Sequence, residues 1–129
     1  MIVVDASAIL EVLLQTPEAS RVSRRIFATG ETLHAPHLLD LEIAQVLRRY
    51  LRLGVISADR GANALEDLAD LPLHRYPHFV LLPRIWQLRH NLTAYDAAYL
   101  ALAEALDAPL VTRDRALASV STKVRVDVL

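Results

Sequence analysis

The sequence predicts an α/β sandwich built around a mostly parallel sheet. Three observations carry that prediction. Short apolar runs of strand length alternate with longer segments of helical period along the chain, which is the pattern of βα units. One helix, Ala94 to Leu106, is almost entirely Ala, Leu and Tyr, with only Asp96 and Glu104 charged. A helix that is apolar on nearly all sides is covered on nearly all sides. Finally, two apolar runs lead into an aspartate, Val4-Asp5 and Thr112-Arg113-Asp114. Both acids therefore fall at carboxyl ends of strands, where open α/β sheets bind their ligands.

Size and composition set the bounds. The 129 residues are expected to form one domain over residues 1–129, long enough to bury a core without staples. There is no cysteine, so disulfides and thiolate metal sites are excluded. Residues 1–14 show neither a basic n-region nor a small-residue cleavage site. No apolar run approaches the roughly 20 residues of a membrane span. A cytoplasmic protein with no membrane contact is expected. The net charge of −1 means that any nucleic-acid contact must come from a local patch. Of the 14 basic residues only Lys123 is a lysine. That bias suits phosphate binding but follows equally from genome composition or growth temperature.

The elements follow in order. Ile2-Val3-Val4 reads as a buried strand, and Ala6–Leu14 as the helix after it. Thr16-Pro17-Glu18 is a helix start; that helix runs to about Thr29, with Arg21, Arg24 and Arg25 on its outer face, and Gly30 stops it. Leu33–Ala35 is a weak second strand. Pro36 precedes a long helix, His37 to Arg52, which Gly54 ends. Its apolar stripe is Leu39, Ile43, Val46, Leu47 and Tyr50. Asp40 and Glu42 border the stripe on opposite sides, Glu42 sharing its flank with Gln45, Arg49 and Arg52. Ser57 caps a helix to about Asp70, with Ala62, Leu65, Leu68 and Ala69 inward. Leu73–Tyr76 is a candidate third strand, broken by Pro77. The next helix reaches about Arg89, with Pro83 in its first turn or kinking it. After the central helix come a strand, Pro109–Thr112, a short helix, Arg115–Ser119, and an alternating terminal strand, Val124–Leu129, at an edge.

Each acid has an innocent explanation. Asp5 and Asp114 can cap the helices that follow them. Thr93-Ala94-Tyr95-Asp96 matches a capping box, and Glu42 can be a solvated flank residue. Together they are harder to dismiss. Two end strands, and a third opens the most apolar helix. Carboxylates that meet without a balancing base repel unless a cation sits between them. An all-oxygen site suits magnesium or manganese, and such ions commonly act on phosphates. Other chemistries lack their motifs. With only Gly30, Gly54 and Gly61 there is no glycine-rich phosphate loop and no G-x-S-x-G elbow. His34, His37, His74, His78 and His90 show no H-E-x-x-H spacing.

At this point the residues resemble a known family, the PIN-domain ribonucleases of the VapC toxin type. The likeness covers almost the whole chain. It rests on Ile2-Val-Val-Asp5-Ala-Ser7, on Glu42 within Ala35–Leu47, on Leu92-Thr-Ala-Tyr-Asp96-Ala-Ala-Tyr-Leu-Ala-Leu-Ala-Glu104, and on Pro109-Leu-Val-Thr112-Arg-Asp114. All four in this order are specific, where any one is weak. The resemblance implies a PIN-like three-layer sandwich with four or five mostly parallel strands. It implies that Asp5, Glu42, Asp96 and Asp114 form an acidic cluster binding Mg2+ or Mn2+, choosing Glu42 over Asp40. Ser7 and Thr112 then support the cluster or its water.

The expected activity is hydrolysis of RNA phosphodiester bonds, leaving a 5′-phosphate and a 3′-hydroxyl. The expected partners are an RNA substrate, a VapB-like antitoxin and a second copy of the chain. The antitoxin groove would include the helices around Ala6–Leu14 and after Thr16, with Leu10, Leu13 and Leu14 exposed to it. Arg113, Arg115, Arg49 and Arg52 are candidates for holding substrate phosphates. Two other readings stay open: a catalytically silent PIN domain acting as an RNA- or protein-binding module, and a metal-dependent DNA nuclease.

Overall fold

The computed structural model describes residues 1–120 and 122–129. The elements are β1 (Ile2–Val4), α1 (Ala6–Leu13), α2 (Ala19–Ile26), β2 (Leu33–Pro36), α3 (Leu38–Arg52), α4 (Ala58–Asp70), β3 (Leu73–Tyr76), α5 (Leu82–Gln87), α6 (Ala94–Leu106), β4 (Leu110–Thr112) and β5 (Val126–Val128). Single 3₁₀ turns sit at Phe79–Leu81 and Arg115–Ser119.

The five strands form one sheet in the order β3-β2-β1-β4-β5, and every pairing is parallel. β1 is central, and Ile2, Val3 and Val4 are wholly buried, as a strand covered on both faces requires. The chain steps outward from β1 to β2 to β3, then returns past β1 to β4 and β5. Right-handed crossovers therefore put α1–α4 on one face of the sheet and α5–α6 on the other. The packing agrees: α1 meets α2, α3 and α4, while α6 lies across β1, β2 and β4 beside α5. This is the three-layer sandwich expected.

Burial follows the sequence closely in α6, where Ala97 through Ala103 are all buried. Leu39, Ile43 and Leu47 of α3 are buried as the stripe predicts. Gly54 follows the Leu53 cap of α3, and its φ of +72° is cheap only for glycine.

Several expectations are corrected. α2 stops at Ile26, short of Thr29; Gly30, at φ +83°, turns the connection to β2 and does not end the helix. Arg25 is not on the outer face. Its guanidinium bonds Asp127 of β5 at 2.7 Å and Glu31 at 3.2 Å, tying the edge strand to α2. In α4 the inward residues are Ala64 and Leu68. Ala62, Leu65 and Ala69 face solvent, because the stripe is narrower than a pattern of small residues suggests and alanine does not define a face. Leu13 is in the core, and Leu10 and Leu14 are half-buried against it. α5 ends at Gln87, with Pro83 in its first turn. β5 is confined to Val126–Val128, at the edge as expected. Among the described residues no helix is long and apolar enough to cross a membrane.

Candidate metal centre

β1 and β4 are neighbours, with Val4 opposite Val111. The strand order reverses between them, and a crevice lies beyond their carboxyl ends. Asp5 stands at the first exit and Arg113-Asp114 at the second. α3 brings Glu42 from one face and α6 brings Asp96 from the other. Asp5, Glu42, Asp96 and Asp114 all line the resulting cleft, together with Ser7, Arg49, Tyr99 and Arg113. Its volume is about 360 Å3, at the small end of the range for ligand pockets.

Asp5 is 6 % exposed and both its oxygens accept hydrogen bonds. Oδ1 takes the Ser7 hydroxyl at 2.6 Å and the Ala8 N–H at 3.1 Å. Oδ2 takes the Thr112 hydroxyl. Each hydroxyl is itself fixed: Ser7 Oγ accepts the Arg113 N–H at 2.9 Å, and Thr112 Oγ1 accepts the Asp114 N–H at 2.9 Å. Each hydroxyl thus accepts from the loop after β4 and gives its proton to Asp5. The capping explanation holds for Asp5, which does cap α1, but it accounts for only one of these bonds.

Asp114 caps the 3₁₀ turn through Oδ1 and the Ala116 N–H, 2.9 Å. At Asp96 half of the predicted capping box forms. The Thr93 hydroxyl accepts the Asp96 N–H at 3.2 Å, but the carboxylate does not reach back to the Thr93 amide. Glu42 Oε1 accepts the hydroxyl of Tyr99 at 2.7 Å. Tyr99 is 1 % exposed, and this bond joins the two helical layers across the cleft. Sequence reasoning did not single out Tyr99. A signal existed: it lies three residues after Asp96 on one face of α6, and a buried phenol needs a partner.

The acids share one electrostatic environment. Burial pushes the Asp5 carboxyl above its ordinary value, and the Asp96 charge adds to this, against the Ser7, Thr112 and Ala8 hydrogen bonds. Burial also raises Glu42, with Asp96 and Asp5 adding and the Tyr99 hydroxyl opposing. Burial raises Asp96, followed by the charge of Asp114, with Thr93 opposing. Tyr99 is held far above the usual phenol range, by burial first and then by Glu42, so it stays a donor.

Among the described residues no group of three or more such side chains is drawn together so as to hold an ion as it stands. The chemistry of the donor set nevertheless fits a hard divalent cation. It is all oxygen, anionic and partly buried, and among the described residues the basic side chains that line the cleft with it are arginines, Arg49 and Arg113.

The arginines divide. Arg49 and Arg113 line the cleft. Arg115 lies in a separate concavity with Arg21 and Arg113. Arg52 is exposed at the end of α3 and lines neither. Asp40, the other acid bordering the α3 stripe, is engaged by Arg75 of β3 at 2.8 and 3.0 Å and does not line the cleft.

Comparison with known proteins agrees with this architecture. A description of the PIN domain matches residues 2–123. A VapC ribonuclease of Mycobacterium bovis is 50% identical over 114 residues, covering 88% of this chain and 86% of the relative. Among solved structures, a Pyrobaculum aerophilum protein superposes with a TM-score of 0.72 at 28% identity, covering 98% of this chain and 83% of that one. A chain in the structure of VapBC2 from Rickettsia felis, bound to a DNA fragment from the promoter, gives a TM-score of 0.71 at 14% identity, covering 98% of both chains. That last likeness speaks to the fold alone.

Proposed function

We infer the chemistry of this cleft from one premise: the chain belongs to the PIN-domain family and, within it, to the VapC ribonucleases. It is a ribonuclease. The observation that carries the residue assignment is the convergence of four carboxylates, from four separate elements, on one cleft at the carboxyl edge of the sheet.

Asp5, Asp96 and Asp114 hold a divalent cation, magnesium or manganese, and Glu42 holds a second or orients the attacking water. When bound, such a cation would supply positive charge at the phosphoryl oxygens and lower the pKa of water. Ser7 and Thr112 keep the Asp5 carboxylate fixed from both sides. Tyr99 occupies Glu42 Oε1, leaving Oε2 to accept the proton of the attacking water. The raised pKa of Glu42 makes it a better base. Water oxygen bonds to phosphorus, the bond to the 3′-oxygen breaks, and that oxygen takes a proton from solvent to leave as a hydroxyl, while Glu42 later returns its proton to solvent. Arg49 and Arg113 hold substrate phosphate at the cleft walls.

The reading extends to the whole chain and its partners. One PIN domain spans residues 1–129, since β5 completes the sheet beyond residue 123. The protein works in the cytoplasm as a toxin, neutralised by an antitoxin chain that covers the cleft. A second copy covers apolar surface that is otherwise exposed. Leu41, Phe79, Val80, Trp86 and Tyr95 are each at least 65% exposed, and apolar surface gathered into a patch marks an interaction site.

The test is cleavage of total cellular RNA by the purified chain, freed of any partner, with manganese and then with EDTA. The Asp96→Asn variant is run beside it. Discrete products that vanish with EDTA and in the variant are expected. Uncut RNA with the wild type, and no metal bound by calorimetry, would return the chain to the binding-module reading.

A further inference from the structure

We propose that Arg21, Arg113 and Arg115 form a second phosphate-binding pocket beside the cleft, which takes a backbone phosphate of the RNA flanking the one that is cut. The proposal deepens the ribonuclease reading and rests on it for the identity of the ligand.

Three elements build the pocket. Arg21 comes from α2, Arg113 from the exit of β4, and Arg115 from the 3₁₀ turn. Ala118, Val128 and Leu129 complete a concavity of about 640 Å3. No acidic side chain lines it among the described residues. The neighbouring acids approach from outside: Glu18 takes Nε of Arg21 at 2.9 Å, and Glu11 stands 3.5 Å from Nε of Arg113. That nitrogen is buried and makes no hydrogen bond. The Leu129 carbonyl accepts one N–H of Arg113. Arg115 makes no ion pair or hydrogen bond among the described residues. A guanidinium carries five N–H donors, so each of the three keeps donors in hand.

Acids neighbour Arg21 and Arg113 through Nε only, and Arg115 has none among the described residues, so the concavity keeps net positive charge that a bound anion offsets. The planar fork of arginine matches the oxygens of a phosphate. The location identifies whose phosphate. Arg113 lines both this pocket and the acidic cleft. A strand whose scissile phosphate lies over the carboxylates presents its next phosphates to surface outside them. The acids repel those phosphates, and the wall that Arg113 shares leads into cationic ground. An acidic protein segment would satisfy the charges too, but nothing ties it to that shared wall.

The experiment measures binding without turnover. Affinity of a labelled single-stranded RNA for the purified chain in EDTA is titrated against salt by fluorescence anisotropy. Arg115→Ala and Arg21→Ala should each flatten the slope of log affinity against log salt by about 0.7, the share of one phosphate contact on a single strand. Arg115→Lys should restore the slope, because it restores the charge. Arg24→Ala, on the solvent side of α2, changes net charge equally and should leave the slope as in the wild type. Circular dichroism establishes that each variant is folded. An Arg115→Ala slope equal to that of wild type and Arg24→Ala would overturn the proposal. So would an unchanged RNA slope accompanied by lost affinity for a polyglutamate peptide, which would assign the pocket to an acidic protein. Manganese-dependent cleavage by the wild type is read separately. Its absence would remove the cleft reading, while the slopes would still decide the pocket.

Discussion

Thr112 and Ser7 do the least visible work in the cleft, holding both oxygens of Asp5 while accepting amides from the loop after β4. Thr112→Val keeps the shape and removes the hydroxyl. It leaves the Asp114 amide and one Asp5 oxygen without partners, at a cost of about 1–3 kcal/mol. Metal affinity should fall by roughly 10–100-fold; chemical denaturation and calorimetry measure the two separately. Asp96→Asn should act in the opposite direction on stability. Asp5, Glu42 and Asp96 all have folded pKa values raised above their ordinary ones, chiefly by burial. The folded state then binds more protons than the unfolded state, so these groups make stability fall as pH rises from about the ordinary carboxylate range toward neutrality. Removing one charge relieves that loss. In EDTA at pH 7 the variant should melt above the wild type, with the gap closing toward pH 4. A variant that melts lower at pH 7 would mean that the Asp96 charge carries no net penalty from burial and its acidic neighbours in the folded state.

At the scale of the element, the faces of α4 separate a pattern from a structure. Leu65 and Leu68 read alike in the sequence, yet Leu68 is 4% exposed and Leu65 43%. Leu68→Ala should cost about 2–5 kcal/mol by lost burial and a cavity, while Leu65→Ala should stay within about 0.5 kcal/mol. Urea midpoints of the two variants decide the rotation of the helix. The same helix shows why a sequence pattern does not fix its buried face. Alanines occupy both faces of α4, and an alanine carries too little apolar surface to say which way it points. In α6 that ambiguity is harmless, because both sides of the helix are covered.

For the whole molecule, cation binding and folding are linked. A cation that binds only the folded cleft should stabilise it by about 2.7 kcal/mol at a concentration 100 times the dissociation constant. Manganese should therefore raise the melting temperature of the wild type and fail to raise that of Asp96→Asn; an equal rise in both would place the cation elsewhere.

The sequence by itself determined the α/β class, the central buried helix, and the positions of Asp5 and Asp114 at strand ends. Each of these is written in local order: short apolar runs, caps and an unbroken apolar segment. Glu42 was reached only through resemblance, since periodicity left it level with Asp40. Tertiary structure gave that choice a physical basis, because Arg75 from β3 engages Asp40 while Tyr99 from α6 reaches Glu42. It also decided what no local pattern contains: that β1 and β4 are neighbours, that Thr112 bonds Asp5 across 107 residues of chain, and that Arg115 lines a concavity with Arg21 instead of the cleft. Those are contacts between distant segments, and they exist only once the order of strands has brought the segments together.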